Sequence, residues 1–212
     1  MLSLCLATAP AFGQGGAEAF RASWGVLVVP VMDPASVSNV ANPALMFDLG
    51  ASIRFPLDAA PAVSFDPSAD VYWSYYELSE GGRPWPTTVE ERTSFVLGLI
   101  LDIPVFYRAP PLGPFSFEVG AGLGFHVRYG FSAAADAPTE DVEAINRYFW
   151  KMGRFFMPST SLRAEYKLTD RVAFGFSARA FWPVFNAWAG EGMAFIDQGV
   201  LAAGILVRYG LR

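Results

Sequence analysis

The sequence has little cysteine, little histidine and few charged side chains, and each shortage excludes a class of function. The single cysteine, Cys5, lies near the start, so the rest of the 212-residue chain can form neither a disulfide nor a thiolate metal site. The single histidine, His126, lacks the histidine and cysteine neighbours of a metal centre. A formal net charge of −5 without a basic cluster argues against nucleic-acid binding. We therefore expect no cofactor, no metal and no nucleic-acid partner.

The sequence also lacks the long apolar run that a membrane-spanning helix needs. Charged residues make up 17% and hydrophobic residues 53% of the chain, whereas soluble domains carry about 25% charged residues. A spanning helix needs about 18 uninterrupted apolar residues, and the richest runs, 95–101 and 200–207, are shorter than that. High hydrophobicity without such a helix is typical of proteins that cross a membrane with strands.

The first residues resemble part of a secretory signal peptide, with an apolar stretch that ends in small residues. No basic residue precedes that stretch, so we interpret 1–13 as the remnant of a signal peptide and 14–212 as the mature domain. Lipidation at Cys5 is a less favoured alternative, because Leu4 is a poor residue before a lipidated cysteine.

A strict alternation of side chains runs through 115–131. Every odd position is apolar or aromatic, and every even position is polar, charged or glycine. A period of two over this length indicates one long β-strand with two chemically opposite faces. Similar alternation predicts seven further strands, at 20–32, 45–55, 62–78, 95–105, 162–167, 172–180 and 201–211.

The connections between these eight predicted strands alternate in length. The short ones are 58–61, 109–114 and 169–171, and the long ones are about 33–44, 79–92, 132–158 and 186–194. An even number of antiparallel strands, with short turns at one end and long loops at the other, predicts an eight-stranded up-and-down transmembrane β-barrel.

The composition of the two strand faces indicates which face meets lipid. In the alternative, a soluble barrel of the lipocalin type, the apolar face would point inward and glycine, serine and alanine would face water. Water-facing strand positions normally carry longer polar side chains. Small residues and a few charges instead suit the narrow interior of an eight-stranded barrel. We therefore expect the bulky face outward, including Trp24, Val26 and Val28 on the first strand, and aromatic residues near both ends.

The third long loop carries the pattern of a short amphipathic helix. Thr139 is a candidate cap, and acidic residues follow it, as the helix dipole prefers. Apolar residues then recur every three or four positions, at Val142, Ile145, Phe149, Met152 and Phe156. The pattern leaves three locations open: over the barrel mouth, in the outer-leaflet interface, or against a partner.

Several ionisable residues fall on the predicted lumen face. The candidate ligand-binding residues are Glu118, His126, Arg128, Arg163, Glu165 and Arg179. Either these charges pair and fill a closed barrel, or they line a polar path or binding site. His126 could act as a general base, but no Ser–His–carboxylate arrangement stands out, so we expect no enzyme activity.

One ion pair follows from strand register. Pairing Phe55 with Phe65 keeps both apolar faces outward and gives a short turn. Arg54 then lies opposite Asp66 in the lumen, within reach of an ion pair.

With these features the chain resembles the small bacterial outer-membrane β-barrels typified by OmpW and by the membrane domain of OmpA. The resemblance covers nearly all of 14–212 and rests mainly on the alternation. In its last strand the family usually has a glycine followed by apolar residues three and five positions later, which the barrel-assembly machinery reads. The matching residues here are Gly204, Val207 and Tyr209. The chain departs from this pattern at Ala202, where a polar residue is expected, and in its non-aromatic end.

The resemblance implies a monomer in the bacterial outer membrane, surrounded by its lipid. It further implies a passive conduit or binder for small molecules, including hydrophobic ones. Proline recurs within predicted strands at Pro30, Pro104 and Pro183 and cannot donate to the ladder, so each marks a strand end, a bulge or a lateral gate. The alternative function is a closed structural or surface-interaction barrel that acts through its long extracellular loops.

Overall fold

The computed structural model describes residues 16–29, 45–78, 82–87, 94–185 and 199–211. The predicted signal-peptide remnant, Pro30 and the predicted first and last long loops, 33–44 and 186–194, lie outside these residues. The strands are β1 (Ala19–Val28), β2 (Met46–Leu57), β3 (Ala60–Phe65), β4 (Ser68–Leu78), β5 (Pro84–Thr87), β6 (Ser94–Asp102), β7 (Val105–Arg108), β8 (Phe115–Ser132), β9 (Phe156–Lys167), β10 (Val172–Phe181) and β11 (Val200–Gly210). The helical elements are α1 (Thr139–Trp150) and a 3₁₀ turn (Lys151–Gly153).

The antiparallel strands close into a ring, because β1 pairs with both β2 and β11. Two of the wall strands are interrupted at a proline: β3 and β4 at Pro67, and β6 and β7 at Pro104. Since proline has no N–H to give to the ladder, a break at these points is expected. With each interrupted pair counted once, the wall has the eight predicted strands. The extra strand β5 forms a hairpin with the end of β4, inside the predicted loop 79–92, and was not predicted.

The predicted phase of the strands is confirmed. On β8, Val119 is 52% exposed and the adjacent Glu118 is 1% exposed. On β1, Trp24 is 57% exposed and Arg21 is 2% exposed. An outer surface of this size and apolarity is stable only when it is covered, and lipid covers it in a membrane barrel. The soluble-barrel alternative, with the apolar face inward, is therefore wrong.

Aromatic side chains project outward near both ends of the wall. Exposed examples are Phe20, Tyr107, Phe115, Tyr166, Phe174 and Tyr209 near one end, and Phe47, Trp73, Tyr129, Phe131 and Trp182 near the other. Such aromatic belts are typical of the two interfaces of a bilayer. Within the described residues, no helix has the length and apolarity needed to cross a membrane.

The predicted register of the first hairpin is also confirmed. Phe55 lies opposite Phe65, and the chain reverses through a turn at Asp58 and Ala59. The pairing shifts between Pro56 and Leu57, where the proline interrupts the ladder.

The helix predicted in the third loop is present, but its ends differ from the prediction. Pro138 is the N-cap residue and no side chain caps the helix, so the expected cap at Thr139 is wrong. Met152 has a left-handed φ of 56° and is half exposed, so the apolar stripe ends at Phe149. Phe156 pairs with Phe125 and belongs to the barrel wall. The loop between β8 and β9 is therefore shorter than the predicted 132–158.

Helix α1 packs in the mouth of the barrel, the first of the three predicted locations. Its buried Ile145, Tyr148 and Phe149 form one apolar cluster with the inward-facing Tyr76 and Val96. The side chain of Asn146 accepts a hydrogen bond from the backbone N–H of Gly130, at 2.7 Å. It also donates one to the Gly130 carbonyl, at 3.1 Å. These contacts attach the helix to both the lumen and the wall.

Candidate functional site in the lumen

The lumen is filled with side chains in successive layers along the barrel axis. We call the end with the short connections, around 58–59, 109–114 and 168–171, the turn end, and the end that holds α1 the loop end. Because successive residues of a strand point to opposite faces, each strand contributes every second residue to these layers. The layers are described below from the turn end to the loop end.

Buried ion pairs form the first layer, which we call the turn-end cluster. Its members are Arg21, Arg54, Asp66, Glu118, Arg163, Glu165 and Arg208. Arg21 lies at the centre: its guanidinium is 2.5 Å from Asp66, 2.8 Å from Glu165 and 3.3 Å from Glu118. Arg208 also contacts Glu165, at 2.8 Å. Buried charges are tolerated only when they are paired. Each charged side chain of this cluster therefore stabilises the buried position of its partners.

Glu118 is the main acceptor of this cluster. Besides Arg21, its carboxylate contacts the guanidinium groups of three other arginines. These are Arg54, Arg108 (2.9 Å) and Arg163 (3.7 Å). These four arginines come from four different wall strands. A single carboxylate therefore ties strands together across the lumen as well as along the ladder.

The predicted ion pair between Arg54 and Asp66 is wrong, although the register behind it is right. Arg54 instead contacts Glu118 and, at 2.9 Å, Glu18. Asp66 contacts Arg163, at 2.8 Å, besides Arg21. In so narrow a lumen a long arginine side chain reaches strands on the far side, so the residue opposite it in the ladder is not its only candidate partner.

Two further differences concern which charges face inward. Arg21, the centre of the turn-end cluster, was not among the predicted lumen charges. The signal for it was present, because Trp24 and Val26 point outward and odd positions of β1 must then point inward. The alternation of β9 also predicts Lys167 on the lumen face, but this last residue of the strand is half exposed and lies 2.7 Å from Asp170. That hydrogen bond from Lys167 lowers the pKa of the Asp170 carboxyl below its ordinary value.

A second layer of charge is centred on Arg179. Its guanidinium donates two hydrogen bonds to Asp70, at 2.5 and 2.7 Å, and one to Asp48, at 3.0 Å. The hydroxyl of Ser159 donates to Asp102 at 2.7 Å. A cavity of about 20 Å³ separates this layer from the turn-end cluster. Space of that size holds about one water molecule.

An apolar layer closes the lumen above Arg179. It consists of Leu27, Val29, Met46, Tyr72, Ile100, Met157, Phe181, Phe185, Val200 and Ala202. Glycine on the wall makes room for its rings: a Cβ at Gly98 would overlap the ring of Tyr72, and one at Gly124 would lie 2.9 Å from the ring of Phe181. The glycines on the inner face of the strands therefore allow the aromatic side chains to fill the bore.

His126 and Arg128 lie between this apolar layer and α1. The His126 Nε2 atom is 2.5 Å from the Tyr72 hydroxyl oxygen. The Arg128 guanidinium lies over the Phe149 ring, 4.2 Å from its centroid. Of the six predicted lumen residues, Glu118, Arg163, Glu165 and Arg179 are thus engaged in ion pairs. Only His126 and Arg128 have no ion-pair partner in the described part of the chain.

The wall is continuous around Pro104, the predicted gate residue that lies within the described wall. The Ile103 N–H donates to the Leu123 carbonyl, at 3.1 Å, and the Asp66 N–H donates to the Pro104 carbonyl, at 3.0 Å. Pro183 lies beyond the end of β10. In the described wall, proline therefore marks a strand interruption or a strand end, and no lateral opening.

The last strand has the geometry that its sequence predicts. Gly204 lies opposite Gly25 of β1, on the lumen side of the wall. Val207 and Tyr209 are exposed on the outer face. Within the part of the chain that the structure describes, no group of three histidine, cysteine or carboxylate side chains could hold a metal ion.

Comparison with known proteins finds likeness at the level of fold. No protein-family model and no curated protein matches the chain. The crystal structure of Neisserial surface protein A superposes with a TM-score of 0.55 at 11% identity, covering 92% of this chain and 98% of that one. The outer membrane protein OprG from Pseudomonas aeruginosa gives a TM-score of 0.49 at 12% identity, covering 91% of this chain and 96% of that one.

Ail of Yersinia pestis, solved with the heparin analogue sucrose octasulfate, gives a TM-score of 0.46 at 8% identity over 92% of this chain and 97% of that one. At such identities it is the fold that is shared. The closed ring of eight wall strands, its apolar outer face and the likeness to Neisserial surface protein A together give the chain the fold of a bacterial outer-membrane β-barrel.

Proposed function

We propose that this protein is a non-conducting outer-membrane barrel that acts through its loop end. The observation that carries the proposal is the filled lumen, in which the turn-end cluster, the Arg179 layer and the apolar layer follow one another along the axis. This favours the closed, surface-interacting alternative over a conduit through the bore.

The energetics of the two charged layers support closure. A solute that crossed the bore would have to separate Arg21 from three carboxylates and Arg179 from two. Removing one partner of a buried ion pair typically costs about 3–5 kcal/mol. The cavity between the two layers is about 20 Å³, which holds about one water molecule, so a larger solute could not pass this part of the described lumen without that disruption.

The outer face of the wall contacts lipid and does not require a second protein chain to cover it. The wall strands that the structure describes pair within one ring, so a monomer leaves no unpaired ladder in this part of the wall. A depression of about 720 Å³ lies on this face, where Ala178 and Ala203 are flanked by Val26, Leu162 and Leu201. Acyl chains of the surrounding membrane are the occupant that such an apolar surface suits. The barrel-assembly machinery is proposed as the partner that reads β11 during biogenesis.

Single-channel recording tests the proposal directly. The refolded protein, with folding verified by heat-modifiable migration on gels, is reconstituted in planar bilayers beside a general porin as the positive control. We expect no current steps above the lipid baseline. Deleting 139–153 should leave the bilayer silent, because the layers below α1 remain. Stable, protein-dependent conductance of the unmodified chain would contradict a closed lumen.

A further inference from the structure

The geometry points to an anion-binding site at Arg128, in the mouth of the barrel beneath α1, which takes the carboxylate or phosphate group of a small molecule. This inference rests on the proposed function in one respect, because it places the ligand at the loop end and not in transit through the bore. Of the six predicted lumen residues, four are engaged in ion pairs, and His126 and Arg128 remain for a ligand.

Arg128 is a buried guanidinium that forms no ion pair with the residues that the structure describes. It is 1% exposed, and none of its three nitrogens meets an acceptor at hydrogen-bond geometry. The Tyr76 hydroxyl is close enough to interact with it but supplies no negative charge. Phe149 contributes the face of its ring and again no negative charge. A buried charge without a partner is strongly unfavourable. An external anion that paired with Arg128 would remove this unfavourable free energy, and that gain would contribute to its binding.

The described wall positions around Arg128 supply no unengaged carboxylate. The lumen-facing residues described at this level are apolar, aromatic, glycine or serine, and include Tyr72, Ser94, Val96, Gly98 and Gly130. Asp48, which lies opposite Tyr72 in the ladder, and Asp70 are bound by Arg179. The contrast is sharp, because Arg21, Arg54, Arg163, Arg179 and Arg208 all contact carboxylates.

The shape of the site indicates the class of ligand. A guanidinium presents a planar fork of donors that matches a carboxylate or phosphate group. The Nδ1 atom of His126, on the same strand face two residues away, also has no hydrogen-bond partner in the described structure and can serve as a second donor. Aromatic rings of Tyr72, Tyr76 and Phe149 surround these polar atoms. A small anion with an apolar body, such as an aromatic carboxylate, fits both features.

The ligand would enter from the loop end by displacing Phe149 from the guanidinium. Helix α1 is attached to the wall by the two hydrogen bonds between Asn146 and Gly130. Its apolar contacts are confined to one cluster with Tyr76 and Val96. Movement of this short helix would expose Arg128 while the ion pairs of the turn-end cluster stay in place.

Binding of sodium benzoate and of inorganic phosphate to the full chain, refolded in detergent micelles, tests the site. Titration calorimetry and the midpoint of thermal unfolding are measured at constant ionic strength, with chloride as the reference anion. We expect saturable binding of at least one probe and a matching rise in the unfolding midpoint. Arg128→Met should weaken that binding at least tenfold and abolish the rise. Arg108→Gln, which removes an arginine from the opposite end, should bind within twofold of the unmodified chain.

Each outcome decides the question. Absence of saturable binding of both probes, or equal binding by Arg128→Met, overturns the site and shows adventitious surface binding at most. If Arg128→Met does not fold, Arg128→Lys serves instead: it keeps the charge, loses the planar fork and should still bind several-fold more weakly, and equal binding again overturns the site. The conductance experiment is independent, since a silent bilayer without anion binding removes this site and leaves the non-conducting barrel standing.

Discussion

Arg21 at the turn end and Arg128 at the loop end are both buried, but their surroundings differ. At the turn end, Arg21 contacts three carboxylates and Glu118 contacts four arginines. At the loop end, Arg128 is equally buried and contacts an aromatic ring. The first arrangement is expected of groups that stabilise the fold, because a satisfied network rigidifies what surrounds it. The second is expected of a group retained for binding, since proteins commonly accept lower stability at functional sites.

The largest expected effect is that of neutralising the acceptor of the turn-end cluster. Glu118→Gln keeps the shape of the side chain but leaves four guanidinium groups around a neutral amide. We expect the free energy of unfolding to fall by about 3–5 kcal/mol, measured by urea unfolding in lipid vesicles with tryptophan fluorescence. Glu140→Gln, on the exposed face of α1, is the matched control and should change it by less than about 0.5 kcal/mol. An equal, small effect of both variants would remove the distinction between the two ends.

The second prediction compares one arginine from each end. Arg21→Met should lower the free energy of unfolding by about 3 kcal/mol, because Asp66 and Glu165 lose a buried partner. Arg128→Met should leave it unchanged or raise it, because methionine removes an unpaired charge and keeps apolar volume. Both variants are compared with the unmodified chain in the same unfolding assay without added oxyanion. A larger loss for Arg128→Met than for Arg21→Met would reverse the interpretation.

The third prediction compares how tightly side chains pack in the apolar layer with how tightly they pack under α1. Gly98→Ala should cost about 1–3 kcal/mol, since the new methyl group overlaps the ring of Tyr72. Gly130→Ala should cost less, because its methyl group would lie 3.4 Å from the Asn146 side chain, at the edge of ordinary contact. Urea unfolding midpoints of the two variants give the comparison. Similar losses at both positions would show that the mouth is packed as tightly as the layer below it.

The smallest expected effect is local. Asn146→Ala removes the two hydrogen bonds between α1 and Gly130, worth about 1 kcal/mol together. We expect faster amide hydrogen exchange across 139–150, while exchange in the barrel strands stays as in the unmodified chain. Asn146→Asp can still accept from the Gly130 N–H and serves as the partial control. Faster exchange throughout the wall would mean that α1 contributes to the stability of the barrel itself.

Much of the wall could be predicted from sequence because strand faces are a local property. The alternation in 115–131 identifies the exposed and buried sides of β8, and the short turn near 58 leaves one register that keeps Phe55 and Phe65 on the same side. The apolar spacing of Ile145 and Phe149 likewise predicts α1 and its buried side. The extra strand β5 was missed, because two of its four residues, Pro84 and Pro86, argue against a strand.

The sequence by itself determined which side chains of the wall strands face inward, since within a strand that depends on whether a residue is odd or even. Only the tertiary structure decided which of them meet. The contacts of Arg21 with Glu118 and Glu165 join residues 97 and 144 positions apart, and they exist because closure of the ring brings distant strands within the reach of an arginine. The same closure leaves Arg128 among aromatic and small residues, a neighbourhood that no stretch of its own strand encodes.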